Sequence, residues 1–180
     1  MKTYIALFRG INMGGHHRLL MKDLASLLQR LGVQNIRTYI QSGNAVFLSE
    51  ERTASRLAAR ISAAIRTAHG FEPQVLLLEP KDLERAIAEN PFPQAEREPK
   101  SLHLLFLLSD PTAPDLVKLE QVKAKTEQFM LRGRLFYLHA PEGVGRSRLA
   151  ASAERLLGVP VTGRNWKTVR EILLLTTKIA

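Results

Sequence analysis

The 180-residue chain has no cysteine, which excludes disulfides, thiolate metal ligation and cysteine nucleophiles. It has no apolar run approaching the roughly 20 residues that a membrane-spanning helix requires. The first apolar stretch, Tyr4 to Phe8, ends at Arg9 and is too short for the core of a secretory signal. A soluble, cytoplasmic protein with no membrane partner is the expectation.

Acidic residues are scarce at both ends. Residues 1–49 hold six Lys/Arg and one acid, Asp23, and residues 143–180 hold seven Lys/Arg and two acids, Glu154 and Glu171. The net charge of +9 therefore comes from the two ends, and the middle is near neutral. A fold that brings the ends together creates one electropositive surface suited to phosphate-bearing partners.

The rest of the chain alternates strand and helix patterns. Residues 3–9 read as a strand. Leu24, Leu27, Leu28 and Leu31 recur at helical spacing, and Gly32 stops that helix. Strands follow at 35–41 and 44–48 around a Ser42-Gly43 hairpin turn. A helix follows over 53–69, then a strand over 74–78 and a helix from Pro80. Residues 90–101, with three prolines and four charges, read as a linker. The order then recurs: strand 102–108, helix 115–125, strands 128–131 and 135–139, helix 148–157, strand 159–162 and helix 166–175. The fold class expected is α+β, a tandem duplication of two ferredoxin-like βαββαβ units, each followed by an extra helix. The boundaries are 1–90, a linker at 91–101, and 102–180. Leu102 to Leu108 and Val75 to Leu78 are nearly continuous apolar runs, which predicts sheets covered on both faces.

With strand order 4-1-3-2, the loop after the first strand and the hairpin after the second emerge at one edge. That gathers Arg9, Asn12, Gly14, Gly15, His16, His17, Arg18, Gln41, Ser42 and Asn44, a donor-rich set without a carboxylate. Glycines let backbone N–H groups approach a ligand, and arginine forks match phosphate or carboxylate oxygens. In the second repeat, Arg146 and Ser147 precede one helix, and Arg164 and Asn165 precede another. Ser147 and Asn165 are expected to cap those helices, each beside an arginine that favours an anion. Trp166 reads as core.

Arg9-Gly10-Ile11-Asn12-Met13-Gly14-Gly15, Thr38-Tyr39-Ile40-Gln41-Ser42-Gly43-Asn44, Gly145-Arg146-Ser147-Arg148-Leu149 and Thr162-Gly163-Arg164-Asn165-Trp166-Lys167-Thr168-Val169 occur in this order. Together they resemble the signatures of the bacterial family catalogued as domain of unknown function 1697, over essentially the whole chain. The resemblance implies tandem ferredoxin-like units and assigns no catalytic residue.

Three functions stay open on the sequence. One is binding of an anionic, phosphate-bearing ligand, a nucleotide or nucleic acid, at a basic edge formed by the two repeats. A second is an enzyme acting on a small anionic substrate there. The four motifs contain no Asp or Glu, so its base would have to be His16, His17 or a substrate group. The third is an interaction scaffold whose motifs only cap and pack. No cofactor is called for. Adjacent His16 and His17 lack a third ligand in the sequence, so no metal is expected.

Overall fold

The computed structural model describes residues 1–179. The architecture is mixed α+β. Among the described residues there are two four-stranded antiparallel sheets and six α-helices. None of these helices is long and apolar enough to cross a membrane. The chain falls into two compact units, one of Met1–Arg85 together with the residues from Glu171 onward, the other of Ala86–Arg170.

In the first unit β1 (Lys2–Arg9) leads through a loop to α1 (Met21–Arg30). β2 (Gln34–Thr38), β3 (Asn44–Ser49), α2 (Ala54–His69) and β4 (Gln74–Leu78) follow. The sheet order is β2-β3-β1-β4, the order expected. β1 lies between β3, with Ala6 opposite Ala45, and β4, with Ala6 opposite Leu77. Side chains alternate across a strand, so Tyr4, Ala6 and Phe8 share a face with Ala45 and Phe47. That face packs under Leu24, Leu27 and Leu28 of α1 and Leu57, Ile61 and Ile65 of α2. Each of these helical side chains is worth about 1.5–3 kcal/mol of burial. Ile5, Leu7 and Val46, on the other face, are also fully buried. That is why the β1 sequence is apolar throughout rather than alternating. α2 ends at Gly70, whose left-handed backbone lets its N–H return to the Arg66 carbonyl.

β2 is shorter than its sequence pattern suggests. It stops at Thr38, because Ile40 sits at φ 47° and cannot continue a strand. The connection to β3 is therefore a five-residue turn, 39–43, closed by the Tyr39 N–H on the Asn44 carbonyl at 3.0 Å.

α3 (Pro80–Ala88) follows. The proline-rich stretch after it carries one 3-10 turn over Pro93–Arg97, anchored by the buried Phe92 and Ala95. In the second unit β5 (Leu102–Leu107), α4 (Leu116–Val122), β6 (Gln128–Arg132), β7 (Leu135–His139), α5 (Arg148–Leu157) and β8 (Val161–Asn165) give sheet order β6-β7-β5-β8. Leu107, Phe136 and Leu138 pack with Leu119 of α4 and Leu149, Leu156 and Leu157 of α5. Leu102, Leu104, Phe106 and Tyr137 are buried on the opposite face. The Tyr137 hydroxyl donates to the Ala86 carbonyl at 2.8 Å.

β8 also departs from the sequence reading. It runs to Asn165, and α6 (Trp166–Thr176) begins at the next residue with no intervening turn. Asn165 makes this possible, because its side-chain oxygen accepts the Thr168 N–H at 2.8 Å and caps the new helix.

Candidate anion-binding edge

The loop from Gly10 to Leu20 is a self-tied hairpin. The Asn12 N–H donates to the His17 carbonyl at 3.1 Å, and the His16 N–H to the Met13 carbonyl at 3.0 Å. Asn12 sits at φ 55°, a conformation that asparagine tolerates better than most residues. Its side chain closes the base of the loop. Oδ1 accepts the Leu19 N–H at 2.8 Å, and Nδ2 donates to the Leu19 carbonyl at 2.8 Å and to the Gln41 carbonyl at 2.7 Å. The last bond joins the loop to the 39–43 turn. Ile11 and Leu19 hold the loop down as buried anchors.

The turn is fastened as tightly. Asn44, 1% exposed, donates through Nδ2 to the Tyr39 carbonyl at 3.0 Å and to Ser42 Oγ at 3.2 Å. The Phe8 N–H donates to the Gly43 carbonyl at 3.0 Å. A Cβ at Gly43 would lie 2.6 Å from Ile11 Cδ1 and 2.8 Å from Phe8 Cβ, so only glycine allows this approach.

Arg9, Asn12, Gly14, Gly15, Gln41, Ser42 and Asn44 thus lie on one edge of the first unit. They divide by role. Asn12 and Asn44 are framework, their amides committed to the backbone. Gly14, Gly15, Gln41 and Ser42 are exposed. Among the described residues the Gly14 and Gly15 N–H groups have no acceptor. Arg9 reaches Gln74 Oε1 on β4 at 2.9 Å. Arg18 and His17, expected at this edge from the sequence, also lie on it. Arg18 is exposed and has no partner among the described residues. His17 stacks on Phe71, ring centroids 4.7 Å apart and planes 14° from parallel, with Nδ1 3.0 Å from the Gly10 carbonyl. Nothing in the sequence links residue 17 to residue 71.

The second unit separates its candidates. Ser147 Oγ accepts the Ala150 N–H at 2.9 Å and caps α5, as expected. Arg146 and Arg148 line a cleft of about 260 Å3 with Lys123, Glu127, Glu142 and Ser147. The two carboxylates were not legible in the motif. Glu127 is buried and accepts the Ala124 N–H, and Glu142 accepts the Thr126 hydroxyl. They make this cleft mixed in charge. Arg164 and Asn165 do not line it. Arg164 is inside the sheet on β8, donating to Thr162 Oγ1 at 2.9 Å and the Gly163 carbonyl at 2.7 Å. Burial pushes its guanidinium down to about 10. Trp166 is fully buried. Among the described residues no group of three or more His, Asp or Glu is arranged to hold a metal ion.

Residues 1–137 match the family described as protein of unknown function, DUF1697. A solved structure, that of the conserved bacterial protein SP0830 from Streptococcus pneumoniae, is similar at TM-score 0.66 and 24% identity. The match covers 96% of this chain and 97% of that one, and at this identity it shows the likeness of the fold alone. No curated protein matches the chain. The family match spans most of the sequence, and the chain belongs to the DUF1697 family.

Proposed function

We propose that this member of the DUF1697 family binds a phosphate-bearing ligand, a nucleotide or nucleic acid, at the edge built by residues 9–18 and 39–44. One observation carries the reading. A loop tied down by Asn12 presents two glycine N–H groups and an arginine that have no partner among the described residues, in a segment whose only acid before residue 50 is Asp23. Preorganised N–H groups and a guanidinium bind phosphate oxygens without first having to break internal bonds. In this reading Arg9 and Arg18 neutralise charge, Gly14 and Gly15 donate to oxygens, and Gln41 and Ser42 orient the ligand. Asn12 and Asn44 hold the walls. In the second unit Arg146, exposed and without a partner among the described residues, is the side chain available to an anion, whereas Ser147, Arg164 and Asn165 act chiefly in the framework.

We also read the chain as a tandem ferredoxin-like duplication in a cytoplasmic protein. The shared sheet order and the helix following each fourth strand support it. As repeats of sequence, rather than as compact units, the divisions are 1–90, 91–101 and 102–180.

Fluorescence anisotropy with labelled single- and double-stranded oligonucleotides across a salt series tests the binding reading. The logarithm of the affinity is expected to fall linearly with log salt, and Arg18→Ala to reduce the single-strand slope by about 0.7. Absence of binding at low salt to oligonucleotides and nucleotides alike would sink it.

A further inference from the structure

We propose that His17 Nε2 is a phosphoryl-accepting nitrogen, so that this edge takes up a phosphoryl group covalently as well as holding a phosphate. The inference rests on the anion-binding reading of the same loop. A neutral imidazole carries one N–H. The Gly10 carbonyl can only accept, so the 3.0 Å contact places that proton on Nδ1 and the lone pair on Nε2. The face of the ring rests on Phe71, which sets its plane. The backbone is fixed by the Asn12 N–H on the His17 carbonyl. His17 is exposed, and among the described residues no hydrogen bond engages Nε2. The result is an imidazole of defined tautomer and orientation on an exposed residue, with its second nitrogen outside the hydrogen bonds that hold the ring. Its neighbour His16 is also exposed, but among the described residues neither a ring contact nor a side-chain hydrogen bond fixes it.

The same loop holds the groups that phosphoryl transfer requires. Charge on the transferring phosphoryl oxygens is met by positioned donors rather than by covalent chemistry from the protein. Gly14, Gly15 and Arg18 supply such donors within four residues of His17.

The donor proposed is a small activated phosphoryl compound, represented by phosphoramidate in its zwitterionic form. The Nε2 lone pair forms an N–P bond. The donor's P–N bond breaks, and its electron pair leaves on ammonia, which already carries its three hydrogens. The imidazole becomes cationic and keeps its Nδ1 proton on the Gly10 carbonyl, so atoms and charge balance. A charged N–H donor makes that hydrogen bond stronger than it was in the neutral ring.

The test incubates the full-length protein with potassium phosphoramidate and reads the product by peptide mass spectrometry and phosphorus NMR. The variants are His17→Asn, which accepts the positive φ of 52° at this position, His16→Asn and Phe71→Leu. Binding of inorganic phosphate is followed on the same samples through the Gly14 and Gly15 amides. The expected result is one acid-labile phosphoryl group on His17, formed about tenfold faster than on His16. It should be absent in His17→Asn, retained in His16→Asn and slowed in Phe71→Leu. Equal labelling of His16 and His17, or none, overturns the proposal. If phosphate still moves the Gly14 and Gly15 amides in that case, the binding reading survives; if it does not, both fail.

Discussion

At the scale of single residues, Asn12 carries the most structure per atom. One side chain satisfies a backbone N–H and two carbonyls and joins two loops. Asn12→Ala is expected to cost about 1–3 kcal/mol in urea unfolding, because those backbone groups lose their partner. Asn12→Asp should cost more than Asn12→Ala, since a carboxylate would face the two carbonyls that Nδ2 now serves. Ile40 presents the opposite case. A β-branched residue at φ 47°, half exposed, holds strain without visible packing gain. Ile40→Asn should therefore stabilise the protein by about 0.5–1 kcal/mol in the same assay. His103 gives a pH-dependent term. Burial pushes its imidazole below the ordinary histidine value, against a smaller opposing interaction with the Ser101 backbone. The unfolded chain then takes up the proton first, so this stability is present above about pH 6.5 and lost as pH falls through it. His139 is shifted in the same direction by the same cause. His103→Leu should flatten the fall in unfolding free energy between about pH 7 and pH 5. An unchanged slope would refute the assignment.

At the scale of elements, close approach rather than composition decides what can change. A Cβ at Gly43 meets Ile11 and Phe8 below 3 Å, on a backbone at φ 80°. Gly43→Ala is expected to cost about 1–3 kcal/mol and to loosen the 39–43 turn. Gly163 is the control. Its Cβ would meet Leu105 at 3.7 Å and its φ is not positive, so Gly163→Ala should change unfolding by no more than about 0.5 kcal/mol. The element order and both sheet orders were legible in the sequence, because hydrophobic periodicity and glycine stops are local signals. The ends of β2 and β8 were not. β2 stops early because Ile40 adopts a conformation that its side chain disfavours. β8 runs on because Asn165 caps the next helix from the last position of the strand. Whether an asparagine amide turns inward to backbone or outward to a ligand has no sequence signature, so Asn12 and Asn44 were legible as members of the edge and not as its framework. Glu127 comes to line the same cleft as Arg146 only through the fold.

At the scale of the whole molecule, the charge asymmetry of the sequence acquires a partial location. The basic N-terminal segment supplies an edge with unpaired donors, whereas Arg164, from the basic C-terminal segment, is enclosed in a sheet and lowered to about 10 by burial. The net charge of +9 therefore overstates what a polyanion meets in the second unit, and the loop after β1 is the place where ligand contact should concentrate. The most direct measurement is an amide NMR titration at low salt with a short single-stranded oligonucleotide, repeated with Arg18→Ala. Progressive shifts centred on Gly14, Gly15, Arg18, Gln41 and Ser42, weakened in the variant and by added salt, are the predicted result. Shifts confined to other surfaces, or none at any salt concentration, would contradict the central claim.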